Sequence, residues 1–267
     1  MKITPNQFAW IFLIVLVGLI GWGGYAIYQF FQNPSAKIIS IENEVKLGEA
    51  IENQTMMGMN EVKNSFTDSC INIIHDRLMD GLGTSNYTYV LKIVDQDDAN
   101  AFAIPGGKIF IHTGLIEFCN SPEELAAVLA HEMGHVEKRH TVKNIIQDIG
   151  LSALIAMITD GGGSGIESIS NQLMSGYFSR EDEAEADDFA LSLLEKCGIQ
   201  PTHLGEVFSR MKEKYGDMEG AMNLLSSHPE LGQRAEKSAS FQVSTGFNQR
   251  KINMDWEQLQ LAMKTQR

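Results

Sequence analysis

His131-Glu132-Met133-Gly134-His135 sets two histidines four residues apart with a glutamate directly after the first. On a helix, residues four apart differ by only about 40° in direction, so both imidazoles leave one face a turn apart and can hold a single Zn²⁺. Glu132 lies about 100° round the helix, at the flank of that face. From there a carboxylate reaches a water on the metal without binding the metal, which is where a general base belongs. Two ordinary surface histidines would need an exposed helix. Here Leu125, Val128, Leu129, Met133 and Val136 stand among Ala126, Ala127, Ala130 and Gly134. Such a helix is expected to be buried, and buried histidines without partners are costly.

A catalytic zinc takes three protein ligands and keeps a fourth position open. His140 is not expected to be the third: five residues past His135 it points about 140° away. Lys138 and Thr141 also stand where a longer zinc-helix motif has glycine and histidine. The better source is Glu181 to Asp188, where six of eight residues are carboxylates. Most suit a solvated helix N-terminus, where the dipole favours negative charge. Glu183 and Asp187 lie four apart, so Glu183 can ligate zinc while Asp187 accepts a hydrogen bond from the far nitrogen of a ligand histidine. Spacing alone leaves Glu181 and Glu185 open as well.

The elements that must position these groups follow from local signals. Ser121-Pro122-Glu123-Glu124 reads as a helix start, with Ser121 as N-cap, Pro122 at the first position and Glu124 closing a capping box. Ser179 with Asp182 starts the acidic helix, which ends near Gly198 after Lys196. Tyr87 to Val94 alternates, and two further short runs flank the turn Pro105-Gly106-Gly107, predicting a small three-stranded sheet. Residues 38–82 show helical spacing for two or three helices, with Met56, Met57 and Met59 as core fillers. Ile145 to Ile158 reads as one core helix and Gly161 to Gly165 as a flexible loop. Further helices are expected after Pro201, near Met218 to Leu225 and from Asp255 to Lys264.

With 43% apolar residues the 267-residue chain can bury a substantial core, and a net charge of -13 argues against a nucleic-acid partner. Three well-separated cysteines, Cys70, Cys119 and Cys197, suit buried thiols better than a disulfide framework. Phe8 to Phe31 carries no charge and is long enough for one bilayer-spanning helix. It is too long, and lacks the small-residue cleavage site, for a removed signal. The division expected is a tail over 1–7, an anchor over 8–31 and a catalytic domain over 38–267. Lys2 against Lys37 and Lys46 gives a slight bias to an inside N-terminus and an extracytoplasmic domain, periplasmic in a bacterium.

The chain resembles the HtpX-like and CaaX-prenyl-protease-type zinc metallopeptidases, which are gluzincins. The resemblance rests on Asn100-Ala101-Phe102-Ala103-Ile104-Pro105-Gly106-Gly107, on Thr113-Gly114-Leu115-Ile116, and on Glu124 through His135. It continues through Tyr177-Phe178-Ser179-Arg180-Glu181-Asp182-Glu183-Ala184-Glu185-Ala186-Asp187 and Ser227-His228-Pro229. It implies an α+β, mostly helical, zincin-like domain with a small sheet packed on the active-site helix, preceded by one transmembrane helix. One Zn²⁺ per chain on His131, His135 and Glu183 is implied, with Asp187 behind a ligand histidine and Glu132 as general base. Lys108, Ile109, Phe110, Ile111 and His112 are implied as the edge strand that pairs with an extended substrate. The oxyanion needs a donor besides zinc; Tyr177, His228 and Arg234 are candidates, with His228 preferred because His-Pro recurs there in the family. The chain lacks the several membrane helices of the true prenyl proteases and looks most like the single-anchor, envelope-facing members. The implied activity is zinc-dependent endoproteolysis of unfolded or misassembled membrane and envelope proteins. A chaperone-like binding module and a structural zinc site are the alternatives, and neither requires a carboxylate at Glu132.

Overall fold

A computed structural model of the chain describes residues 14–25, 38–159, 165–174, 178–215, 228 and 230–265. The helices are α1 Ile14–Tyr25, α2 Ile41–Met56, α3 Ser65–Leu82, α4 Thr113–Phe118, α5 Pro122–Glu137, α6 His140–Ile149 and α7 Leu151–Thr159. They continue with α8 Ile166–Met174, α9 Arg180–Cys197, α10 Thr202–Tyr215, α11 Leu231–Ala239 and α12 Trp256–Thr265. The strands are β1 Val90–Val94, β2 Ala101–Ile104 and β3 Lys108–His112.

Helices α5 and α9 form the most extensive element pair, and their serine caps work as the sequence suggests, although the Glu124 carboxylate accepts the Asn120 amide at 2.6 Å instead of closing a box on Ser121. Ser121 Oγ accepts the Glu124 amide at 3.3 Å, and Ser179 Oγ accepts that of Asp182 at 3.1 Å. Each bond satisfies an amide that the first helical turn leaves unpaired. Gly198 closes α9 in the left-handed conformation, φ 69°. Every residue of α5 from Pro122 to Val136 is buried. The two helices approach so closely at Gly134 that a Cβ there would lie 2.9 Å from both Cα and carbonyl O of Ala186. Backbone cannot yield as a side chain does. Gly134→Ala is therefore expected to cost about 1–3 kcal/mol of overpacking strain, read as a lower urea midpoint of unfolding.

The sheet runs β1-β3-β2, with β3 parallel to β1 and antiparallel to β2. This corrects the reading of Lys108–His112 as the edge strand: β3 is the central strand, hydrogen-bonded on both sides. The hairpin alone would leave the far side of β3 free. β1 covers it, in register from Val90 opposite Lys108 to Val94 opposite His112. Ile109, Phe110 and Ile111 are completely buried, as suits a strand enclosed on both faces and both edges. Ile109 and Ile111 join the core beneath α3, α5 and α9. Phe110, with Phe102 and Ile104, joins a second core with α2, α6 and α8. The sheet is thus the middle layer. β2 is an edge strand, and it is β2 that lies against α5 more than β3 does.

Other expectations change as well. Ile145 to Ile158 is two helices, because Gly150 takes φ 83° and α6 and α7 bend by 106°. The predicted strand from Tyr87 begins only at Val90. Helices α4, α8 and α11 were not signalled. Within the proposed anchor, residues 14–25 are helical, and 8–13 and 26–31 lie outside the described residues, as do 161–164 and 218–225. Among the described residues no single helix is long and apolar enough to cross a membrane. Cys70, Cys119 and Cys197 are buried free thiols.

Candidate metal centre

The face of α5 that carries His131 and His135 looks onto the first turns of α9, where Glu183 is buried while Glu181 and Glu185 are exposed. His131 Nε2 lies 3.0 Å from His135 Nε2. The Glu183 carboxylate is 3.5 Å from the former and 3.4 Å from the latter. Two donors bound tetrahedrally at about 2.0–2.1 Å from one ion stand ~3.3 Å apart, so the three groups fit a single zinc. Their chemistry agrees, since two imidazoles and a carboxylate are the ligand types of a catalytic zinc. His228 brings its Nδ1 to 3.0 Å from Glu183 and 3.4 Å from His131 Nε2. All four are buried and their donor atoms fall within 4.8 Å of one another.

A second layer fixes these groups. Asp187 Oδ1 lies 3.0 Å from His131 Nδ1, the partnership expected from the four-residue spacing. Arg234, from α11, donates to both Asp187 oxygens at 2.8 and 2.7 Å, and its guanidinium also lies against Glu183. Burial pushes the Asp187 carboxyl up, but hydrogen bonds from Arg234 and His131 outweigh it and hold the pKa at about 2. Glu183 is likewise raised by burial and then brought well below the usual carboxylate range by the charge of His228 and by hydrogen bonds from the three histidines. Both carboxylates thus stay charged, as metal binding and histidine orientation require. With Arg234 committed to two carboxylates, His228 is the described oxyanion candidate that faces Glu132, at 3.7 Å between Nε2 and Oε1. Tyr177 lies outside the described residues.

Three contributors escaped the sequence reading. His140 stays out of the donor cluster, but not because it points away: its Nδ1 is 3.0 Å from Nδ1 of His135, on the side away from Glu183. The α5 helix ends at Glu137, and Arg139 turns left-handed, φ 61°, which swings His140 back towards the ring. A helical wheel carried through residue 140 cannot show this. Phe178 stacks on His135 with ring centroids 3.8 Å apart, and Phe208 meets His131 edge-on at 5.9 Å. The signal for Phe178 was its place next to the Ser179 cap; Phe208 had none.

Glu132 Oε2 accepts the amide of Ala103, on β2, at 3.0 Å. Burial raises the pKa of this carboxyl, and the nearby charges of His228 and His131 offset that only in part. Because the Ala103 amide points at Glu132, it points away from β3. The outer edge of β2 therefore borders the cluster. β3 does not: Lys108 pairs instead with Glu52, on α2.

Residues 67–240, well over half of the 267, match the sequence profile of peptidase family M48. The chain is 32% identical over 158 residues to the mitochondrial metalloendopeptidase OMA1 of Schizosaccharomyces pombe, a match covering 58% of this chain and 47% of that one. It is 31% identical over 152 residues to the metalloprotease LoiP of Escherichia coli, covering 54% and 59% respectively. It is 24% identical over 204 residues to the β-barrel assembly-enhancing protease of the same organism, covering 72% and 42%. The chain thus spans about half the length of these curated relatives.

Proposed function

Because the chain belongs to peptidase family M48, a family of zinc metallopeptidases, we propose that it is a membrane-anchored zinc endopeptidase. The observation that carries this is the buried convergence of His131, His135 and Glu183 with Glu132 beside them. These three residues are the zinc ligands in this reading. Zinc, when bound, lowers the pKa of a water and polarises a peptide carbonyl. Glu132 takes the proton of the attacking water and returns it to the leaving amine. The His228 imidazole donates to the oxyanion. Asp187 fixes the tautomer of His131, and Arg234 holds Asp187 and Glu183 in register. An extended substrate pairs with the outer edge of β2, reading backbone rather than side chains, which suits unfolded or misassembled polypeptides.

The alternative of a binding module that cleaves little is disfavoured by Glu132 itself. A carboxyl buried to 1% exposure, with its pKa raised, costs folding energy that binding alone does not require. The anchor is supported by the uncharged run from Phe8 to Phe31. Relatives named for mitochondria and for β-barrel assembly are in keeping with work at a membrane, and Lys2 against Lys37 and Lys46 favours an extracytoplasmic domain. The test is cleavage of a permanently unfolded protein by the full, zinc-loaded chain. Chelation should stop cleavage and added zinc restore it. No cleavage by fully metallated protein would overturn the reading.

The role given to Asp187 makes a sharper prediction. Asp187→Ala should weaken zinc affinity or activity about 10- to 100-fold without abolishing it, because a carboxylate behind a ligand histidine sets its orientation and basicity. Asp188 is exposed and pairs with Lys237, so Asp188→Ala removes the same charge as a matched control. Equal losses in zinc titrations of the two variants would leave only the general field of the acidic helix.

A further inference from the structure

Glu44 is a completely buried carboxylate near the start of α2. Its Oε2 accepts the Tyr87 hydroxyl at 3.1 Å and Nε of Arg139 at 2.8 Å, the latter across 95 residues of sequence. The Arg139 guanidinium also donates to the Ile39 carbonyl at 2.6 Å, just before the same helix. Stability does not explain this ion pair, because the attraction of two buried charges barely offsets the cost of taking them out of water. The backbone of Arg139 suggests another use. Among the described residues only Arg139 and Glu230 take a positive φ without being glycine, a conformation that L side chains rarely adopt. Such strain persists where the surrounding contacts over-determine it, and Glu44 is a firm contact to supply. A Cβ on Gly48 would run into the Pro105 carbonyl oxygen, and one on Gly106 would lie 2.9 Å from the Val45 Cα. Helix α2 and the β2–β3 turn thus meet backbone to backbone, which fixes where Glu44 stands.

The residue after this turn is His140. Its Nδ1 comes to 3.0 Å from Nδ1 of His135, and its Nε2 lies 3.4 Å from Asp182 Oδ1 on α9. His135 turns its Nε2 to the donor cluster. For that nitrogen to offer its lone pair to a metal, the ring proton sits on Nδ1 and is donated to Nδ1 of His140, whose own proton is then on Nε2, facing Asp182. A bond of this kind at the far nitrogen orients a metal-binding imidazole and raises its basicity. We infer that Glu44 is a positioning residue of the metal centre: by gripping Arg139 it holds the left-handed turn that sets His140 against His135. Arg139 is the link, and the effect passes from α2 to a zinc ligand through one ion pair, one backbone reversal and one imidazole. The inference rests on the peptidase reading and adds to it a residue far from the zinc-binding helix in sequence.

The experiment measures the zinc affinity of the full chain by competition with a chromophoric chelator, without substrate, and records the visible spectrum of the cobalt-substituted form. Glu44→Gln keeps the size but loses the charge that grips Arg139. Its affinity should fall about tenfold or more, the usual worth of a group behind a ligand histidine, and the cobalt bands should shift. Glu52→Gln is the control: Glu52 also ties α2 down, by pairing with Lys92 at 2.8 Å and with Lys108, away from the Arg139 turn. Loosening the same helix there should leave affinity and cobalt bands unchanged. Arg139→Gly removes the link, and glycine takes a positive φ freely, so on that background Glu44→Gln should cost no further affinity. Arg139→Lys keeps the charge but lacks the fork that reaches Glu44 and Ile39 together. It should weaken zinc binding as Glu44→Gln does, and it carries the test if Glu44→Gln does not fold. Unchanged affinity in the Glu44 or Arg139→Lys variant, an equal loss in Glu52→Gln, or a full further loss on the Arg139→Gly background would each overturn the inference and leave the zinc site standing. An unaltered chain that binds no zinc would overturn the peptidase reading, and this inference with it.

Discussion

Alanine in place of His131, His135 or Glu183 is expected to take bound zinc from one ion per chain to a small fraction of that after dialysis, and proteolysis to background. In the proposed site each substitution leaves two of three ligands, and a catalytic zinc held by two side chains is exchangeable. The substitutions also differ in a way that tests the assignment. Glu181 and Glu185 are exposed on the same helix, so Glu181→Ala and Glu185→Ala should keep full zinc. Retention of zinc by Glu183→Ala with loss in either neighbour would move the ligand by half a turn. Binding should also depend on pH. Burial and the charge of Arg234 push the His131 pKa down, but hydrogen bonds with Asp187 and Glu183 outweigh them, and without metal it is pushed up to about 9. His131 is thus protonated below that value and must lose its proton to bind. Zinc affinity should weaken about tenfold per pH unit as pH falls, with about one proton released per ion bound. Isothermal titration in buffers of different ionisation enthalpy counts that proton.

Glu132→Gln should separate binding from chemistry. The amide keeps the size and the hydrogen bond from Ala103 but cannot take a proton. Zinc content should stay near one per chain while kcat falls about 10²- to 10⁴-fold, the usual worth of a positioned general base. Removing a buried carboxyl of raised pKa should leave Tm unchanged or higher. The variant should still bind unfolded substrate, so it can recover clients from membranes. Metal lost together with activity would mean that Glu132 helps to build the site. Activity kept would assign the base to another group.

Much of the site is written locally. The buried character of α5, the one-turn spacing of His131 and His135, the caps at Ser121 and Ser179 and the pairing of Glu183 with Asp187 all depend on residues within a few turns of each other. Helical periodicity and capping act over that same range, so these features could be read from the order of residues. The choice of Glu183 over Glu181 and Glu185 was open to spacing and needed the family resemblance. In the structure it corresponds to burial against α5.

What only the tertiary structure decided is set by contacts between distant segments. That Lys108–His112 is central depends on β1 arriving parallel on its far side, a pairing whose strands no turn connects, so the hairpin signal alone could not reveal it. The proposed substrate edge is β2 for that reason. His140 reaches His135 because Arg139 reverses the chain, and Arg234 reaches Asp187 across 47 residues of sequence. A cavity beside the metal centre is assembled from α4, α5, α10 and α11. Apolar periodicity marks which faces of those helices are buried but not which faces meet. That is settled by the packing of all of them at once, and with it the shape of the space left beside the metal centre.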